Sequence, residues 1–224
     1  MGHEPGDDWA EEAQSEYEAE LGARYLKELG HDLYREHFEQ AVAEFTADRL
    51  QSYYLHRPDM AGAAIRMMER ATGLQEMCPS GALLFATSAI EITIKHLLVR
   101  PIVNGLVHTE AVADVVMALT PEQTGSDAFK RLTFGILKKI ADLDLVAYKR
   151  SGANRILWDE WKQLQKQRND LIHDGTQPSE SVMATAIPVA AEFLNVLFPA
   201  VLKALGLAVN GCMMIQALPK WGVL

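Results

Sequence analysis

Cysteine is scarce in this chain, and the scarcity excludes two designs at once. Only Cys78 and Cys212 occur in 224 residues, far apart, which fits neither a disulfide framework nor a Cys-x-x-Cys zinc spacing. Two lone thiols point to a reducing compartment. A Gly-rich phosphate loop is missing, and no serine or cysteine stands beside a histidine motif, so neither a P-loop nor a nucleophilic triad is indicated. Sustained alternation of apolar and polar residues between turn dipeptides is also lacking, so no strand is expected and the fold class is all-α. The opening residues MGHEPGDDWAEE have no basic leader and no apolar core; the expectation is a cytoplasmic protein without a secretion signal. Internal repeats and low-complexity linkers are absent as well.

Positive charge is the next shortage. The formal net charge of -9 argues, taken whole, against a nucleic-acid partner, because such binding is dominated by neutralising phosphates. The deficit is uneven. Residues 1–75 hold sixteen Asp and Glu against seven Lys and Arg, whereas 126–168 hold ten basic residues against five acidic ones. That basic region, with Lys149, Arg150, Arg155, Lys162 and Lys166 in or beside a turn and the helix after it, is locally attractive to RNA. A solvated helix face accounts for lysine pairs equally simply.

What is abundant is helical periodicity. From Asp7 to about Arg57 the pattern predicts one or two long helices broken near Gly30, with an apolar stripe of Leu33, Phe38, Val42, Phe45 and Leu50. Pro58 ends this region and Asp59 is the expected N-cap of the next helix, which runs to about Leu74. The CPSG sequence at 78–81 makes the following break. Ser80 is then expected to cap a helix to about Val99 that Arg100-Pro101 ends or kinks. Further helices are expected near Thr109–Ala118, over Ala128–Leu145, from Asn154 to His173 with Gly175 at the C-cap, and after Pro178. The organisation predicted is an acidic N-terminal helical region over 1–78, an antiparallel helical bundle over 79–208 and a tail over 209–224. Two long apolar runs interrupt their hydrophobicity with Glu91 and Lys95, or with Glu192, Asn195 and Lys203; they are expected to be core or interface helices, with no membrane partner.

One helix breaks its own pattern. Leu157, Trp161, Leu164, Arg168 and Leu171 recur at spacings of four, three, four and three, the seam of a helix that packs on others. A guanidinium in a seam needs an acceptor or a space that admits an anion, since desolvating it alone costs several kcal/mol. Glu91 sits at the edge of an earlier packed face and can hold Arg168, or it can pair with Lys95 one turn on. His173 follows Arg168 by five residues, roughly 140° round an ideal helix. Near the helix end it has freedom to swing, and two-fold pairing would bring both residues from each chain into one cleft. An imidazole that passes protons and a cation that stabilises a pentacoordinate phosphate are the groups that metal-free RNA cleavage needs.

The run RNDLIHDG, the Ala-rich helix after it and the upstream SAIEITIKHLL resemble the HEPN superfamily over about residues 80–208. The resemblance implies an all-α, usually homodimeric domain, in many members a metal-independent endoribonuclease. It maps Arg168, Asn169 and His173 onto the family's active positions and Glu91 onto its acidic residue on the earlier helix. It further implies no cofactor, RNA as substrate, a toxin–antitoxin or antiviral setting, and a protein inhibitor or antitoxin as partner. In one toxin subgroup a modified tyrosine stands two residues after the histidine; here that position is Gly175. The family also includes members without nuclease activity, so a non-catalytic helical dimerisation module that binds a nucleotide or protein is the alternative. A third reading is a metal site of Asp170, His173 and Asp174, at i, i+3 and i+4. His96 and His108 read as ordinary polar positions, and Met67-Met68 and Met213-Met214 as adaptable packing.

Overall fold

A computed structural model describes residues 45–106, 134–135 and 137–219, with isolated positions between 17 and 28. Two compact units divide the chain, Met1–Phe45 and Thr46–Leu224. In the first, Tyr17, Leu21 and Tyr25 are helical and exposed, and so is Phe45 of the expected apolar stripe. Leu33, Phe38, Val42, His108, the expected helix at 109–118 and the loop after it lie outside the described residues. Residues 46–78, grouped by composition with the acidic N-terminal region, belong to the larger unit and supply Leu50, Tyr54, Ala61, Ala64 and Ala71 to its core.

The larger unit is mostly helical. Helix α1, described over 45–56, is followed by α2 (Gly62–Leu74), α3 (Pro79–Ile92), α4 (Arg100–Leu106), α5 (Leu157–Asp174), α6 (Glu180–Ala191) and α7 (Phe198–Ala204). Two π-helical segments, π1 (Thr93–Val99) and π2 (Glu192–Leu197), join α3 to α4 and α6 to α7. Helix α3 is central: it packs on α2, α5 and α6, with Leu83, Ala86 and Ile90 fully buried. The stretches Pro79–Gly105 and Glu180–Ala204 are long and apolar enough to cross a membrane, and here their buried residues, among them Leu97, Leu98, Phe193 and Leu197, line this core.

Several helix boundaries depart from the sequence expectation, each for a local reason. Asp59 is not the cap of α2; it lies in a turn whose backbone oxygen accepts from Gly62 N–H, and Ala61 precedes the helix with helical dihedrals. Ser80 does not cap α3 either. Cys78 is the N-cap residue, Pro79 takes the first helical position that needs no N–H donor, and the Ser80 hydroxyl donates to Gln177 Oε1 at 2.9 Å. The helix expected over 128–145 ends at Ala141, because Asp142 turns to a positive φ of 52°.

Arg100-Pro101 neither ends nor breaks its helix, which passes without interruption from α3 through π1 into α4. Proline cannot donate to the carbonyl four residues back, here that of Leu97. The buried hydroxyl of Tyr54 donates to that same carbonyl at 2.5 Å. Just before the proline, Arg100 N–H reaches Lys95 O, five residues back, in the wider π turn. The pattern recurs where Pro199 follows π2 and Phe198 N–H reaches Phe193 O. Burial raises the Tyr54 phenol far above its ordinary range, with Tyr53 adding to the effect, so the hydroxyl keeps its proton for this bond.

The expectation of no strand fails at the C-terminal end. Leu207–Val209 and Ile215–Ala217 pair antiparallel, Leu207 opposite Ala217, inside what was read as bundle end and tail. Asn210 Oδ1 accepts from the N–H groups of Cys212 and Met214 and shapes the turn, and Ile215 N–H donates to Pro58 O at 2.8 Å. Three-residue strands are too short to show alternation in sequence.

Candidate functional site

The singular helix α5 begins at Leu157, three residues later than expected, because Leu157 N–H closes the preceding turn on Tyr148 O at 2.9 Å. Asp159 and Glu160 in its first turn and His173 in its last complement the helix dipole. Gly175, at φ 66°, ends it in the left-handed conformation, with its N–H on Asp170 O. Leu157, Trp158, Trp161 and Leu164 are buried; beyond Leu164 the seam opens. Arg168 is therefore not a buried ion. Its side chain is 30% exposed, and Glu91 Oε1 lies 3.7 Å from Nη1, an ion pair too long for a hydrogen bond. Among the described residues Arg168, rather than Lys95, is the ion-pair partner of Glu91. Nη1 donates at 3.3 Å to Asn169 Oδ1.

His173 is exposed and fully within α5. It has not swung round the helix end: helical geometry still points it about 140° away from Arg168, and within one chain the two do not meet. The same geometry gathers other residues. Lys162, Lys166, Asn169 and His173 fall within about 60° of one another on α5, and all four are exposed. A cationic stripe thus leads along the helix to the imidazole. Between this stripe and Arg168 stands Ile172, 50% exposed, an apolar side chain that sequence reading passed over.

The basic turn before α5 divides by role. Lys149 and Arg155 are exposed, and Arg155 Nη1 donates to Gln163 Oε1. Arg150 departs from its expected RNA-facing place: Nε and Nη2 donate to the two carboxylate oxygens of Glu160 at 2.9 and 3.0 Å, and the side chains are only 19% and 10% exposed. This bidentate pair fixes the turn to the start of α5. On its other side the Tyr148 hydroxyl donates to Glu192 Oε1 at 2.5 Å, and burial together with that carboxylate pushes the phenol up to about 12.

The metal reading finds no geometry in its favour. Among the described residues no three His, Cys, Asp or Glu side chains are grouped to hold an ion, and Asp170, His173 and Asp174 form no such set. What the arrangement holds is a cation beside a carboxylate on one flank of α5, an imidazole at the end of a lysine stripe on the other, and an apolar residue between. No protein-family model matches the chain, and neither does any curated protein or solved structure.

Proposed function

We propose that this protein is a HEPN-type, metal-independent endoribonuclease whose site is completed by two-fold pairing of α5 tips in a homodimer. The observation that supports the reading is the division of α5 into two chemically complementary flanks around exposed Ile172. A second copy seated over that residue sets the Arg168 of one chain against the His173 of the other, a meeting that one chain alone does not make. Single-stranded RNA would run along Lys162 and Lys166, with Lys149 and Arg155 nearby in sequence as further phosphate contacts.

In the cleavage step the 2'-hydroxyl oxygen bonds to the adjacent phosphorus and the bond from phosphorus to the 5'-oxygen breaks. The products are a 2',3'-cyclic phosphate and a 5'-hydroxyl. One His173 of the pair takes the 2'-hydroxyl proton and the other supplies a proton to the departing 5'-oxygen, Arg168 stabilises the added negative charge on the phosphoryl oxygens, and Glu91 and Asn169 hold the guanidinium in place. The chain would act in the cytoplasm, in a toxin or antiviral role, restrained by a protein inhibitor. The apolar helix that runs from α6 through π2 into α7 would serve core and dimer contact, exposed Val196 of π2 included.

The test is cleavage of single-stranded RNA by the purified chain in EDTA, with His173→Ala alongside. Cleavage that persists in chelator and disappears in the folded variant supports the reading. A chain that dimerises, cuts no RNA and keeps its biological effect in His173→Ala is a non-catalytic module instead.

A further inference from the structure

The edge of α3 that meets Arg168 carries a cation of its own. Leu84, Ser88, Glu91 and Lys95 follow one another at spacings of four, three and four, fall within about 60° of one another on the helix, and are all half-buried. They form one edge. Beside them Leu83, Ala86, Ile90, Ile94 and Leu97 are buried in the core. Between Glu91 and Lys95 the helix passes into π1, whose wider turn takes up the forward drift of a four-residue step and sets Lys95 close behind Glu91.

Two of the three polar groups on this edge are engaged. The Ser88 hydroxyl donates to Leu84 O at 2.8 Å, and the Glu91 carboxylate lies 3.7 Å from Arg168. The Lys95 ammonium has neither a hydrogen bond nor an ion pair among the described residues. A lysine stem laid on apolar surface with its head in water accounts for half-burial alone. Register adds more. The Ser80 hydroxyl reaches Gln177 and Glu91 meets Arg168, so α3 and α5 run antiparallel. Lys95, four residues or about 6 Å beyond Glu91, therefore stands one turn along from Arg168, on the side of half-exposed Gln165. Helix α3 packs on α5, whereas π1 packs on α7 and π2, so Lys95 comes where that contact ends. One carboxylate thus faces two cations.

We propose that Lys95 binds the RNA phosphate next to the one that is cut, so that a strand passing His173 of one copy and Arg168 of the other continues over π1 of the second. The inference rests on the reading of the α5 tips as a paired ribonuclease site. One helical turn is close to the separation of neighbouring phosphates in an extended strand, which suits two cations to two successive phosphates. Arginine and lysine also differ in kind. The planar guanidinium suits the phosphoryl group whose charge changes, while an ammonium on a four-carbon stem follows a phosphate that only has to be held. Such a contact is the same before and during cleavage. It therefore lowers KM and leaves kcat where it was.

The test uses the full chain and 2'-O-methyl oligonucleotides that carry a single ribonucleotide, of each base in turn, so that only one linkage can be cut. Binding is followed by fluorescence anisotropy on the fully 2'-O-methylated strand, and cleavage by steady-state kinetics. Lys95→Gln is expected to raise KM about tenfold with kcat within about twofold, and to lower the slope of log affinity against log salt by about 1, with the circular-dichroism spectrum unchanged. Lys95→Arg should restore most of the loss. A neutral methylphosphonate on one side of the cut, and not on the other, should cost the wild-type chain about the same tenfold and cost Lys95→Gln nothing further. A wild-type chain that neither binds nor cuts these strands overturns the proposal together with the reading it rests on. Wild-type cleavage with KM and salt slope untouched in folded Lys95→Gln, or equal methylphosphonate losses in both proteins, overturns the proposal alone.

Discussion

The two halves of α5 are one continuous helix put to opposite uses. Its first half buries Leu157, Trp158, Trp161 and Leu164 and ties Glu160 to Arg150; its second exposes Asn169, Ile172 and His173 and leaves Arg168 half out of the core. Rigidity comes from the half that carries none of the proposed site residues. A tip held by packed neighbours can present an imidazole in a fixed direction without a ligand to order it.

The sharpest way to break this contrast is at His173. His173→Ala should lower RNA cleavage by about 10²–10⁴, the range for a lost proton-transfer group, with the melting temperature unmoved. A melting temperature that falls instead makes the tip structural and erases the contrast. Leu164→Ala, at the last buried position, should cost about 2–5 kcal/mol in chemical denaturation, through lost transfer energy and a cavity. Lys162→Ala with Lys166→Ala should weaken RNA binding roughly tenfold and lower the slope of log affinity against log salt by about 2, measured by fluorescence anisotropy. Gly175→Ala should destabilise by about 1 kcal/mol: a Cβ there meets nothing within 4 Å, so the cost is that of the left-handed backbone alone. Smallest in stability is Glu91→Gln, within about 0.5 kcal/mol for a half-buried pair as long as 3.7 Å, yet it should reduce cleavage about tenfold if Glu91 orients Arg168.

The same contrast marks what a sequence can disclose. Helix α5 was legible from the spacing of Leu157, Trp161 and Leu164, and Gly175 marked its end, because both signals are local and obey helical geometry. The juxtaposition of Glu91 and Arg168 was one of two pairings open to the sequence, and the packing of α3 against α5 selects it. Pro101 misled because the group that compensates it, the Tyr54 hydroxyl, arrives from another helix. Asp59 and Ser80 misled because capping preference ranks residues without knowing that a turn or Gln177 takes the group first. The direction of His173 depended on how far the helix ran.

The π turn between α3 and α4 makes residue count a structural quantity. Removing any one residue between Thr93 and Val99 should restore an ordinary α-helix there and rotate everything downstream by about 100°. Arg100 and Asn104 would then leave the helix face they share with Ile92 and His96, and a deletion before Leu97 would also turn its carbonyl from Tyr54. A single-codon deletion at this point should therefore do more damage than most substitutions of the side chains along it.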